Sequence, residues 1–111
     1  MSDLLIADLR KAVGDAHVLT AASDLAPYLT DWRGNYTGRA LAVVRPASAE
    51  QVAAVVGLCA AHAAPVVPQG GNTGMVGGGV PDTSGRAIVL SLTRLNAIRA
   101  VDIANNAMTV E

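Results

Sequence analysis

The sequence predicts a mixed α+β chain of the α/β kind, built on a βαβ unit. Three observations carry this: two short apolar runs that read as strands, a helix-period run between them opened by a capping box, and a glycine-dense loop after the second strand. Hydrophobic residues make up 51% of the 111 and charged residues 15%, which excludes a disordered chain. The length allows one domain. With aromatics at 3% and no phenylalanine, its core must be assembled from many small contacts.

Along the chain, Leu4, Leu5, Leu9, Ala12 and Val13 fall near helical spacing, with Ser2 or Asp3 as the N-cap and Gly14 as the stop. His17, Val18 and Leu19 suit a short strand. Ser23 and Asp24 can cap another helical turn, which the Pro27 ring tolerates only near its start. Residues 31–39, DWRGNYTGR, are rich in glycine and polar side chains and read as a loop. Leu41 opens a strand stopped by Pro46. Ser48 and Gln51 then have capping-box spacing, so a helix begins at Ser48, with Val52, Val55, Val56 and Cys59 as its apolar face. That helix should fade at 62–64, ahead of Pro65. Residues 65–68 form a proline-bounded strand, parallel to the one before the helix. Residues 87–92 read as a buried strand and 93–96 as a turn. The runs 98–103 and 108–111 make a hairpin around 104–107.

Several functions are argued against by composition. The net charge is −1, with no basic block of the kind a phosphate-tracking surface needs, so nucleic acid is not the expected partner. The apolar run 52–61 is about half of what a bilayer span requires. The N-terminus lacks the pattern of a secretory signal. A lone Cys59 cannot close an intramolecular disulfide, which suits a reducing, cytoplasmic setting. No nucleophile-base arrangement, metal-ligand spacing or close carboxylate pair occurs, so no catalytic or metal residue is assigned. Cys59 falls on the apolar helix face and reads as a small buried hydrophobe. His62, at the end of its helix, reads as a cap facing the dipole, and His17 as structural. Arg94 can pair with a phosphate or with an acid such as Asp102. Trp32 and Arg33 could border a ligand, but read better as an anchoring tryptophan and a loop arginine.

The most informative stretch is 69–81, QGGNTGMVGGGVP, where six of the 11 glycines fall. Glycine is selected where φ is positive or where another group approaches the backbone, and it costs conformational entropy elsewhere. One reading is a nest of backbone amides around an anion, with Asn72 and Thr73 adding side-chain donors; the other is an ordinary glycine-rich surface loop. The loop's exit from the carboxyl end of a parallel strand favours the first. It is not a P-loop, since no lysine follows Lys11, and it does not open a helix as the dinucleotide fingerprint does.

Residues 68–81 with the following VLSLTRLNAI (89–98) and Val101-Asp102 resemble the flavin-binding segment of FAD-linked oxidases. Within that group the chain is most similar to the D-2-hydroxyacid dehydrogenases, which include D-2-hydroxyglutarate and D-lactate dehydrogenases and the glycolate oxidase FAD subunit. Asp31, Trp32, Arg33, Gly34, Tyr36 and the Val44-Arg45-Pro46 strand end fit the same pattern. The resemblance covers residues 24–111, leaving 1–23 as an N-terminal helical extension. It implies FAD as cofactor, with Pro68, Gly70, Gly71, Asn72, Thr73, Gly74, Gly78 and Gly79 against it and Gln69 and Met75 nearby. It further implies oxidation of a small D-2-hydroxy acid to the 2-oxo acid, with electrons passed on to an acceptor. On this expectation the 111 residues are the first of two subdomains and the opening of the second, a truncated piece with no activity alone. The competing expectation is a non-catalytic α/β module that binds an anion or a protein through the loop. Either way, the strand at 108–111 should leave a sheet edge open for self-association.

Overall fold

A computed structural model of the protein describes residues 2–111. Helix α1 (Ser2–Val13) leads through a 3-10 turn (Asp15–His17) to β1 (Val18–Leu19), followed by α2 (Ala22–Leu29), β2 (Ala40–Val44), α3 (Ala49–Ala61), β3 (Val66–Gln69), β4 (Ala87–Ser91), β5 (Ile98–Asp102) and β6 (Ala107–Val110). The first four strands make one sheet in the order β1-β2-β4-β3. β2 and β3 are parallel, as the βαβ pattern requires, but β4 lies between them and runs parallel to both. β1 adds an antiparallel edge.

Side chains alternate across the sheet, and helices cover both faces. Ala42 and Val44 of β2 with Ile88 and Leu90 of β4 pack under Leu5, Leu9 and Val13 of α1 and Val55 and Cys59 of α3. On the opposite face Val43 and Val89 meet Leu25 of α2. Covered on both sides, β4 is buried along its whole length and reads AIVLS, without polar alternation. The segment assigned as an extension, 1–23, thus brings α1 into the principal core.

The local signals succeed unevenly. Gly14 ends α1 at φ 95, its amide donating to the Arg10 carbonyl at 2.8 Å. The cap expected at Ser2 or Asp3 falls inside α1, and the residue before it lies outside the described residues. Ser48 does cap α3, accepting from the Gln51 amide at 3.2 Å. Gln51 reaches one residue further back than a capping box predicts, to the Ala47 N–H at 2.7 Å. On α3, Val56 is 44% exposed, because the buried face centres on Val55 and Cys59, flanked by Val52 and Leu58.

Helix α2 departs most from expectation. Its N-cap is Ala21, not Ser23 or Asp24, and Pro27 sits in its second turn. The Ala21 carbonyl accepts from both Asp24 and Leu25 at 3.0 Å. The bond that Pro27 cannot donate would have gone to the Ser23 carbonyl, on an exposed residue that water can satisfy. Beyond the sheet, β5 and β6 pair antiparallel with each other alone and are exposed throughout.

Candidate functional site

The carboxyl ends of β3 and β4 lie side by side, Gln69 opposite Ser91, and the glycine loop leaves from there. The loop is fixed by side chains at its start. Gln69, 4% exposed, donates both amide hydrogens, to the Tyr28 carbonyl at 2.9 Å and to the Gly79 carbonyl at 2.8 Å. The first bond ties the loop to α2; the second ties its beginning to its end. Asn72, at φ 55, donates to the Thr30 carbonyl at 2.8 Å. One of the hydrogens expected for an anion therefore holds the neighbouring loop.

That neighbour is residues 31–39. The Thr30 and Thr37 hydroxyls meet at 3.1 Å, and Asp31 Oδ1 accepts from the Tyr36 amide at 2.9 Å, closing the loop on itself. Gly38 then passes under the far end of the glycine loop so closely that a Cβ there would stand 1.8 Å from the Pro81 carbonyl oxygen. Arg39 N–H continues the seam to the Asp82 carbonyl at 2.8 Å. Gly77, at φ 82, lies against the Tyr36 ring, 3.0 Å from where its Cβ would be. Both glycines are demanded by the fold.

Between the two loops lies a cavity of about 270 Å³. Of the residues assigned to the cofactor, Pro68, Gln69, Gly70, Gly71, Asn72, Thr73, Gly74 and Gly79 line it, while Met75 and Gly78 do not. Gly77 and Asp31 line it as well and were not among those assigned. A Cβ added at Gly70, Gly71, Gly74 or Gly78 would meet nothing within 4 Å, and none of these four has a positive φ. Their lack of side chains relieves no contact and no strain within this chain. It leaves open room beside the backbone, which at Gly70, Gly71 and Gly74 is the cavity wall.

No lysine or arginine lines this cavity, so anionic charge would be met by amide dipoles, as in a nest. The one formal charge on the wall is Asp31, 6% exposed, whose Oδ2 is buried with no hydrogen-bond partner among the described residues. Its sequence signal was only an acid opening a glycine-containing turn. A wider hollow of about 630 Å³ lies at the opposite end of the sheet, by Leu41, Ala64 and Arg86. Ligands of open α/β sheets gather at the carboxyl ends of strands, so the smaller cavity is the candidate.

The remaining candidates sit elsewhere. Trp32 is 66% exposed, too open for the anchoring role expected of it, and neither it nor Arg33 lines the cavity. Arg94 makes no ion pair with Asp102 among the described residues; its Nη1 donates to the Arg45 carbonyl at 2.8 Å, bracing the end of β2. His17 Nδ1 lies 3.3 Å from Arg45 Nη2. Desolvation, with the nearby Arg94 and Arg45 guanidinium groups, lowers the His17 pKa below its ordinary value. His62 is the C-cap of α3, its Nε2 3.6 Å from Asp8 Oδ2 on α1. Cys59 is buried in the core, which raises its thiol pKa and makes it inert. Among the described residues no group of three His, Cys, Asp or Glu side chains could hold a metal, and no helix is long and apolar enough to cross a membrane.

Residues 40–111 match the family described as FAD binding domain. The chain is 39% identical over 111 residues to a D-2-hydroxyglutarate dehydrogenase from Xanthomonas citri pv. viticola, covering 100% of this chain and 23% of that protein. It is 34% identical over 109 residues to a quinone-dependent D-lactate dehydrogenase from Haemophilus influenzae, covering 96% of this chain and 19% of the relative. Among solved structures, p-cresol methylhydroxylase with substrate bound superposes with a TM-score of 0.76 at 28% identity, over 90% of this chain and 20% of that one. The chain thus spans about a fifth of the length of these relatives.

Proposed function

The chain belongs to the FAD binding domain family, and from that premise we propose that its glycine loop holds the FAD pyrophosphate in a protein oxidising a small D-2-hydroxy acid to the 2-oxo acid. The observation that carries the cofactor assignment is the set Gly70, Gly71 and Gly74 on the cavity wall, where neither strain nor packing calls for glycine and a Cβ would project into open space. The donor set fits the group: bare amides suit phosphate oxygens, and Gln69 keeps the loop closed around them. When bound, the flavin takes the hydride, and the protein supplies orientation and electrostatics.

The substrate class rests on the dehydrogenase relatives. We assign this chain to the first subdomain of the flavin domain, with the acceptor and substrate contacts made by other parts of the intact protein. Self-association through the open β5–β6 hairpin belongs to the same proposal. Its support is the exposure of Val101 (64%) and Met108 (60%) on a two-stranded sheet that pairs with no other strand among the described residues. Titrating the purified chain with FAD while recording flavin fluorescence anisotropy tests the cofactor assignment. A saturable rise is expected; a flat trace sinks it.

A further inference from the structure

The hollow of about 630 Å³ lies at the amino ends of the parallel strands, away from the glycine loop. Leu41 near the start of β2, Ala64 just ahead of β3 and Arg86 directly before β4 line it, with Leu5 of α1 and with His62 and Ala63 past the end of α3. Its volume falls in the range of about 300–1,000 Å³ usual for small-molecule sites, and its lining is likewise mostly apolar with few polar groups. Two features go beyond shape. The first is a charge without a partner: Arg86 is exposed, and its guanidinium makes no hydrogen bond and no ion pair among the described residues. His62, the other basic group on the wall, has Nε2 3.6 Å from Asp8 Oδ2, so Arg86 is the cation open to a ligand. The carbonyls of Leu58, Cys59 and Ala60, which would repel an anion at the end of α3, are taken by the N–H groups of His62, Ala64 and Ala63. The second feature is Ala63, which follows the C-cap His62 with φ 53, a left-handed position where glycine is the usual residue and alanine is strained. Alanine differs from glycine only by a methyl group, and this residue stands on the cavity wall. Apolar lining is thus kept at a conformational cost, the reverse of the glycine loop, where side chains are absent without a conformational reason.

We propose that this hollow is a second binding site, for a small carboxylate with an apolar body. The Arg86 guanidinium pairs with the carboxylate, for which its planar fork of donors is suited, and Leu5, Leu41, Ala63 and Ala64 receive the apolar part. Neither half suffices alone. A single exposed ion pair contributes little in water, and an apolar body without the charge has nothing to fix its orientation. The site therefore discriminates in two directions, against an uncharged molecule of the same length and against a carboxylate that lacks the apolar part. It shares no residue with the cavity at the glycine loop, so it stands whether or not that loop binds FAD.

The test titrates the purified chain with hexanoate, hexanol and acetate while backbone amide shifts are recorded by NMR. Expected are saturable hexanoate shifts at residues 61–64 and 85–86 with residues 70–79 unmoved, and binding of hexanol and acetate that is weaker by roughly tenfold or more. Arg86→Gln should bring hexanoate down to the level of hexanol. Ala63→Gly relieves the left-handed strain and so keeps the fold, yet it should weaken hexanoate and hexanol alike by about fourfold, the effect of losing one methyl-sized apolar contact. Hexanol bound as tightly as hexanoate overturns the proposal, as do hexanoate shifts that fall on the glycine loop or never saturate. Hexanoate affinity left unchanged by either substitution overturns it too. The comparison of hexanoate with hexanol needs no variant, so it decides the matter even if a substituted chain does not fold.

Discussion

Two loops face each other across the cavity, and they are built on opposite plans. Residues 31–39 carry the tryptophan, a tyrosine and a buried carboxylate, and close on themselves through Asp31 and the Thr30–Thr37 pair. Residues 70–79 contribute mostly backbone and are held from outside, by Gln69 and by Asn72 on Thr30. Glycine occurs in both, with different meanings. Gly38 has no room for a Cβ; Gly70, Gly71, Gly74 and Gly78 have room and no strain. Where the fold needs glycine the reason lies in the chain, and where it does not, the reason is sought in a ligand.

The largest effect should come from Gly38→Ala. A methyl group 1.8 Å from the Pro81 carbonyl oxygen has no flexible side chain to push aside, so the two loops must separate. A loss of about 3 kcal/mol or more in urea denaturation is expected, at the severe end of single substitutions. Little change in stability would show that the seam between the loops is loose. Next comes Gln69→Leu, which leaves the Tyr28 and Gly79 carbonyls without their donor. About 2 kcal/mol should be lost in the same measurement. Gly71→Ala provides the contrast: equal or slightly raised stability, by up to about 0.5–1 kcal/mol, because the unfolded chain loses freedom. Its FAD affinity in an anisotropy titration should nevertheless fall. If Gly71→Ala destabilises the chain instead, the distinction between the two kinds of glycine fails.

Much of the architecture was legible because it follows from local chemistry. The Ser48 cap, the Gly14 stop and the AIVLS run each show their structural role in adjacent residues. The glycine loop stood out as a candidate site for the same reason, as glycine density is a local signal. What escaped was set by distant partners. Nothing near Gly38 announces Pro81, which lies beside it only after the 70–79 segment has crossed back. Asp31 read as one residue of a polar loop, and its place on the cavity wall is set by the distant 70–79 segment. The insertion of β4 between β2 and β3 is likewise a property of the sheet, invisible in any one strand. Pro27 misplaced the start of α2 because the exposure of the Ser23 carbonyl, which makes the proline tolerable, is a tertiary fact.

The smallest effect should appear at the seam where the two loops join. Asp82, whose carbonyl accepts from Arg39 N–H, has its carboxylate held by Ser84 Oγ at 2.6 Å and Ser84 N–H at 3.0 Å. These bonds, aided by Arg86, pull its pKa below the ordinary value of 3.8, against a smaller desolvation effect. A depressed carboxylate stabilises the fold above its unfolded pKa, and that stabilisation drains away as pH falls through the folded one. Stability should therefore drop below about pH 4, and Ser84→Ala, which removes the hydroxyl bond, should flatten that dependence. Urea midpoints measured at a series of pH values would show it. A dependence unchanged by Ser84→Ala would mean that the turn behind the glycine loop is set by backbone alone, placing the seam's stability almost wholly on Gly38.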